Sequence, residues 1–288
     1  MRLVDSHCHL QASRLLSDVD LVLGGARLAG VERILVPGWD VASSEAALEL
    51  VDRHPWLDAA VGVHPHDAAA VDDAGWEGIV ALAADARVVA IGETGLDFDR
   101  EFSPRDVQIA NLRRNLALAR ETAKPAILHC RSKAGARDAQ DSLVRELLRA
   151  GFDDPGVTAS FDGHPPAVIH SFSGPVDYAT TVLELGLAVS FSGLVFRAGE
   201  EASAEAVRLV PAERLLVETD APFLSPPGAP RRRNEPEWVR ITAGWVAEQR
   251  GTSGEAIGDL VVAAYARAFD RPPGDAGGAP VDAADGLR

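Results

Sequence analysis

Residues 4–10 read VDSHCHL. In extended backbone, neighbouring side chains point to opposite faces, so Asp5, His7 and His9 share one side and Ser6 and Cys8 the other. With Leu3 and Val4 in front, the segment reads as the end of a short buried strand. Two imidazoles at this spacing can hold one divalent ion, with Asp5 positioned to fix a histidine tautomer from behind. Taken alone, the pattern fits core histidines that merely hydrogen-bond equally well.

The rest of the chain repeats the arrangement. Glu93 in VVAIGETGLD, His129 in PAILHCR, His170 in AVIHSFSG and Asp220 in LLVETDAPF each stand at the C-terminal side of an apolar run. Eight such runs read as strands: Leu3–Ser6, Arg33–Val36, Asp58–Val63, Val88–Ile91, Ala126–Leu128, Ala167–Ile169, Ala188–Phe191 and Leu215–Glu218. They are short and rich in Val, Ile, Leu and Ala, as strands buried on both faces should be. Amphipathic stretches of helical length lie between them, among them Asp18–Ala29, Ser43–Arg53, Pro104–Thr122, Ala136–Ala150 and Val176–Leu185. Ser103 followed by Pro104 makes a good N-cap and N1 pair for the third of these. Alternating βα units with eight strands predict an α/β protein, a single (β/α)8 TIM barrel, over residues 1–270. Two helices, near Glu235–Gln249 and Ser253–Phe269, should follow the last strand. Residues 271–288, rich in Pro, Gly, Ala and Asp, are expected to form a disordered tail. Gly151–Pro166 reads as a long polar loop.

Composition narrows the class. The 288 residues are enough for one barrel, and 47% hydrophobic with 25% charged residues is a globular profile. Two cysteines are no disulfide framework. Cys8 and Cys130 each follow a candidate ligand histidine, so they should face the helix layer as small buried hydrophobes. The first strand starts too early for a signal peptide to precede it, and no apolar run reaches membrane-spanning length. A cytoplasmic protein is therefore expected, and a monomer, since the sequence suggests no exposed apolar face. A net charge of −15 argues against a protein that coats nucleic acid. It leaves a nuclease open, because bound divalent ions supply positive charge where the phosphate reacts.

A fold that gathers strand ends at one mouth explains the scatter of His7, His9, Glu93, His129, His170 and Asp220 along the chain. Mixed imidazole and carboxylate donors suit two divalent metal ions (zinc, manganese or magnesium), with a carboxylate such as Glu93 bridging them. Glu93 and Asp220 are the candidate catalytic carboxylates. Asp220 would orient the attacking water and take its proton. His64, in GVHPH, together with Arg131 and Arg197, is a candidate substrate contact, although loop packing is an equal reading for His64 and its neighbour His66. Lys133, Arg231, Arg232 and Arg233 also follow strands, where phosphate contact competes with plain solvation. Phe98, Phe172, Phe196 and Phe223 follow strands too, and core packing is the expected role of each, ahead of stacking on a base. His54 and His164 are assigned to the surface.

With these residues in place, the sequence resembles the TatD family of metal-dependent deoxyribonucleases, within the amidohydrolase-like barrels. The resemblance runs from about Val4 to Phe269 through DSHCHL, GVHPH, IGETGLDF, ILHCR, IHSFSG, VETDAPFL and RRRNEP, and Gln108 and Asp138 also match. It implies that His7, His9, Glu93 and Asp220 hold one ion and that Glu93, His129 and His170 hold the other. It further implies hydrolysis of DNA, exonucleolytically at single-stranded or damaged ends. The alternatives are ester hydrolysis in D-aminoacyl-tRNA and a small-molecule amidohydrolase or lactonase. Arginine-bearing loops favour a phosphate polymer over a small neutral ester. A metal-storing barrel is disfavoured, because shared mixed ligands leave open positions for water. The chain departs from the family in reading IHSFSG where a cysteine commonly follows the histidine, and in Phe98-Asp99 after GLD. The Gly151–Pro166 loop, longer than usual, is expected to reshape one wall of the groove.

Overall fold

The computed structural model describes residues 1–271; the expected tail lies outside the described residues, save Arg271. Eight strands, β1 (Leu3–Asp5), β2 (Val31–Pro37), β3 (Leu57–Val61), β4 (Val88–Asp97), β5 (Ala126–Arg131), β6 (Ala167–Ile169), β7 (Ala188–Phe191) and β8 (Leu215–Val217), pair in parallel in chain order. Backbone hydrogen bonds join the last strand to the first: Ser6 N to Val217 O (3.0 Å), Asp220 N to His7 O (2.9 Å) and His9 N to Ala221 O (2.8 Å). The result is the single barrel read from the sequence.

Eleven α-helices occur among the described residues: α1 (Ser13–Leu16), α2 (Val19–Leu28), α3 (Val41–Arg53), α4 (Asp73–Ala83), α5 (Arg105–Thr122), α6 (Asp138–Arg149), α7 (Pro155–Ala159), α8 (Val176–Glu184), α9 (Ser203–Leu209), α10 (Val239–Arg250) and α11 (Gly254–Phe269). None is long and apolar enough to cross a membrane. Ser103 does not cap α5 with its side chain. Its hydroxyl donates to His66 O (2.8 Å) and accepts from Ala69 N (3.0 Å), which ties the loop after β4 to the loop after β3.

β4 runs well past the expected end at Ile91, so Glu93 lies inside the strand instead of after it. Two glycines allow this close packing against β5. Gly92 and Gly95 have φ of +141° and +138°, and a Cβ on Gly95 would collide with the carbonyl of His129.

Two expectations need correction. The Gly151–Pro166 segment connects α6 to β6, and connections from helix to strand lie at the N-terminal end of a barrel, away from the mouth. It folds there around α7, with Phe152 and Phe161 buried and Gly163 O accepting from the Arg267 guanidinium (3.1 Å). It therefore forms no wall of the groove. Nor is the surface free of apolar side chains, since Leu21 and Leu28 share one face of α2 at 78% and 93% exposure.

Asp5 also has a different task from the one expected. Its Oδ1 accepts from Thr219 N (2.9 Å) and His7 N (3.2 Å), and its Oδ2 from Thr219 Oγ1 (2.5 Å). It touches no imidazole nitrogen and braces the β8–β1 junction instead. Burial pushes its carboxyl up to about 8, against the pull of those donors. A carboxyl raised above its ordinary 3.8 contributes most stability below that value and loses it as pH climbs toward 8. In metal-free protein, wild type should therefore lose stability relative to Asp5→Asn between pH 5 and pH 8, by up to about 1.4 kcal/mol per pH unit. Denaturant unfolding of both proteins across that range checks this, and a constant gap would mean that Asp5 is ionised throughout.

Candidate metal centre

Glu93 is buried at the centre of the mouth, 3% exposed. Its two oxygens face different partners. Oε2 lies 3.2 Å from His7 Nε2 and 3.5 Å from His9 Nε2, with Asp220 Oδ1 also 3.5 Å from His9 Nε2. Oε1 lies 2.9 Å from His170 Nε2, 3.2 Å from His129 Nδ1 and 3.4 Å from His64 Nε2. The structure thus brings all six expected ligands together around one carboxylate, in overlapping groups that could hold metal: His7, His9 and Asp220; His7, Glu93 and His170; and His64, Glu93 and His129. Burial opposes ionisation of Glu93, but the surrounding His64, His170, His7 and His129 hold its carboxyl well below the usual range.

The rings are aimed by partners behind them. His170 Nδ1 pairs with Glu218 Oε1 (2.9 Å), which leaves Nε2 free to face Glu93. His129 Nε2 pairs with Asp97 Oδ2 (3.3 Å), which leaves Nδ1 free. Asp97 Oδ2 also meets His66 Nε2 at 2.7 Å, while its Oδ1 accepts from the backbone of Asp99 and Arg100. Gln108 locks the Asp97 peptide, accepting from its N–H (2.8 Å) and donating to its carbonyl (3.0 Å). Glu218 and Asp97 are the functional residues that sequence reasoning missed. The signal was present, since each lies an even number of residues from a candidate ligand, Glu218 two before Asp220 just after β8 and Asp97 four after Glu93 on β4.

The donors fit divalent metal. His7 Nε2 and His9 Nε2 are 3.2 Å apart, and His170 Nε2 and His129 Nδ1 are 3.4 Å apart. Nitrogens bound to one tetrahedral ion at about 2.05 Å would be about 3.3 Å apart. His7 Nδ1 and His9 Nδ1 are buried without a hydrogen-bond partner, so the polar neighbours of both rings lie on the Nε2 side.

His64 has its own chemistry. Burial pushes its imidazole down to about 4, so it is neutral at physiological pH. Its Nδ1 accepts from His66 N (3.1 Å). The ring proton therefore sits on Nε2, directed into the site as a donor. That tautomer suits a substrate contact better than a metal bond through Nε2.

At the rim, Arg131 Nε lies 3.2 Å from Asp99 and Lys133 Nζ 3.6 Å from Glu101, and Arg233 pairs with Asp18 and Glu235. Arg197, Arg231 and Arg232 are exposed. Phe98 and Phe172 are buried, Phe196 is half-buried, and Phe223 is exposed. Asp138 pairs with Arg105 (2.6 Å). His54 and His164 lie away from the cluster, half-buried against Asp20 and Arg267 O respectively. Both cysteines are buried and free, and burial pushes the Cys130 thiol up to about 12.

The model of the family described as TatD related DNase matches residues 4–270. A metal-dependent hydrolase of Bacillus subtilis, YabD, is 33% identical over 267 residues, covering 93% of this chain and 98% of that protein. The 3′-5′ ssDNA/RNA exonuclease TatD of Klebsiella pneumoniae is 38% identical over 253 residues, covering 86% and 90%. Among solved structures, the TatD homologue YjjV of Escherichia coli K12 superposes with a TM-score of 0.82 at 27% identity, covering 94% and 99%. Sequence, barrel and histidine–carboxylate mouth agree: this chain belongs to the TatD-related DNase family.

Proposed function

We propose that this chain is a divalent-metal-dependent phosphodiesterase that shortens single-stranded DNA from an end. The observation that carries the reading is the division of Glu93, one oxygen to each of two nitrogen-rich donor sets. His7, His9, Glu93 and Asp220 would hold one ion, and Glu93, His129 and His170 the second. Imidazole-rich sets favour zinc over magnesium. When bound, such ions polarise the phosphodiester and lower the pKa of water. The relatives named as 3′-5′ ssDNA/RNA exonucleases support a nucleic-acid strand over a D-aminoacyl-tRNA ester or a small ester, and the relative named as a metal-dependent hydrolase supports the metal chemistry. The free buried thiols fit a reducing cytoplasm.

The protein's own groups divide the work. Glu93 keeps the two donor sets in register. Asp220, with 14% of its side chain exposed, is the carboxylate that can reach an incoming water, orient it and accept its proton at Oδ. His64 donates from Nε2 to a phosphoryl oxygen and steadies the charge that builds there. Arg131 and Arg197 contact phosphates further along the strand, Arg131 by exchanging its Asp99 partner for a phosphate.

The deciding experiment offers the metal-loaded protein end-labelled single-stranded DNA beside a D-aminoacyl-tRNA. Stepwise shortening of the DNA supports the reading, and intact DNA with rapid ester cleavage overturns it. Asp220 has φ of +54°, a conformation that Asn also tolerates, so Asp220→Asn should fold normally. We expect it to cut turnover by about 100-fold or more while barely changing oligonucleotide affinity; near-normal turnover would remove Asp220 from the proton transfer. Glu218→Gln withdraws the anion that selects the His170 tautomer. Metal affinity, read by chelator competition, should fall about 10- to 100-fold, whereas unchanged affinity would deny Glu218 its orienting role.

A further inference from the structure

The chain has nine phenylalanines, and the structure leaves two of them exposed: Phe102 at 68% and Phe223 at 45%. Both stand on loops that follow strands at the mouth, Phe102 after β4 and Phe223 after β8. In an eight-stranded barrel those strands are diametrically opposite. The two rings also end one row of rings. Phe223 lies 5.9 Å from His9, which leads through His7, His170, His129 and His66 to Phe102, 4.7 Å from His66.

Both are braced. Asn234 Nδ2 donates to Phe223 O (2.8 Å), and the Arg14 guanidinium covers one face of the Phe223 ring at 4.9 Å. Phe102 rests edge-on against His66, whose far nitrogen is held by Asp97. An exposed phenyl ring forgoes the burial that most phenylalanines of this chain obtain. Here two do so on either side of the donor cluster, each on a fixed support.

We propose that Phe102 and Phe223 are stacking platforms for bases on the two sides of the scissile phosphate, and that they set a preference for unpaired strands. The inference rests on the phosphodiesterase reading above. Every base has a π-face, so such platforms tolerate any sequence. Within a duplex interior bases are stacked on both faces and the terminal pair on one, so paired DNA cannot place a base on each of the two rings.

The test measures binding of fluorescent phosphorothioate oligonucleotides to the metal-loaded protein by anisotropy. One strand carries all its bases, and a second is abasic at the nucleosides nearest the labile end. Phe102→Ala and Phe223→Ala should each weaken binding of the complete strand by about 5- to 150-fold, the range that stacking supplies per base. Neither should further weaken the abasic strand, and Phe→Tyr at either position should restore affinity. Equal losses on both strands would show mere support of the loops and overturn the proposal, as would unchanged affinity for the complete strand. Base-dependent affinity in a protein that leaves ordinary DNA uncut would uphold the platforms and defeat the phosphodiesterase reading instead.

Discussion

The mouth depends on one buried carboxylate. Glu93 lies where burial alone would neutralise it; five imidazoles lie within 3.5 Å, and those of His64, His170, His7 and His129 keep it charged. That crowding has a consequence for the neighbours. Nitrogens this close to one another and to a carboxylate cannot all carry protons, so several must present lone pairs. Lone pairs converging around a shared carboxylate are a ready receptor for divalent metal. The outer carboxylates Glu218 and Asp97 decide which nitrogen of His170 and of His129 is free for that purpose.

Barrel geometry then explains why residues more than two hundred positions apart in sequence meet. Each βα unit delivers the C-terminal end of its strand to the same face. β4 goes further than its neighbours, and Gly92 and Gly95 let it lie against β5 closely enough to carry Glu93 and Asp97 to the centre. Asp5 makes the corresponding closure between β1 and β8. By gripping Thr219 it sets the register in which His7 and Asp220 face each other across the seam.

Much of this was legible in the sequence because two simple periods carry it. The alternation at Asp5, His7 and His9 gave the inward face, and the recurrence of apolar runs gave the strand count. The outer carboxylates were not recognised, since a carboxylate in a strand has the same local pattern whether it meets metal, imidazole or backbone. Asp5 shows the converse error. Parity places it with the histidines, but parity does not say that two of its three donors come from Thr219, just after β8. The Gly151–Pro166 segment was misassigned to the groove although the strand count alone puts it at the other end, where helices return to strands.

Charge poses the remaining problem, because a chain of net charge −15 must hold a polyanion. Three of its rim cations carry little uncompensated charge. Arg131, Lys133 and Arg233 are already matched with carboxylates, so each phosphate contact there replaces an existing pair and gains only the difference. The long-range attraction of these three is correspondingly small. On the function proposed above, recognition adds to the phosphate contacts of Arg131 and Arg197 groups that act only at contact: cations that the donor residues would hold, the Nε2–H of His64, and exposed rings that would take bases instead of phosphates. On that reading, such a surface would bind nucleic acid weakly in general and more tightly where a strand end lies in the mouth with its bases free. An acidic surface around a local cationic centre is therefore consistent with an enzyme that trims ends and unlike one that coats or scans a polymer.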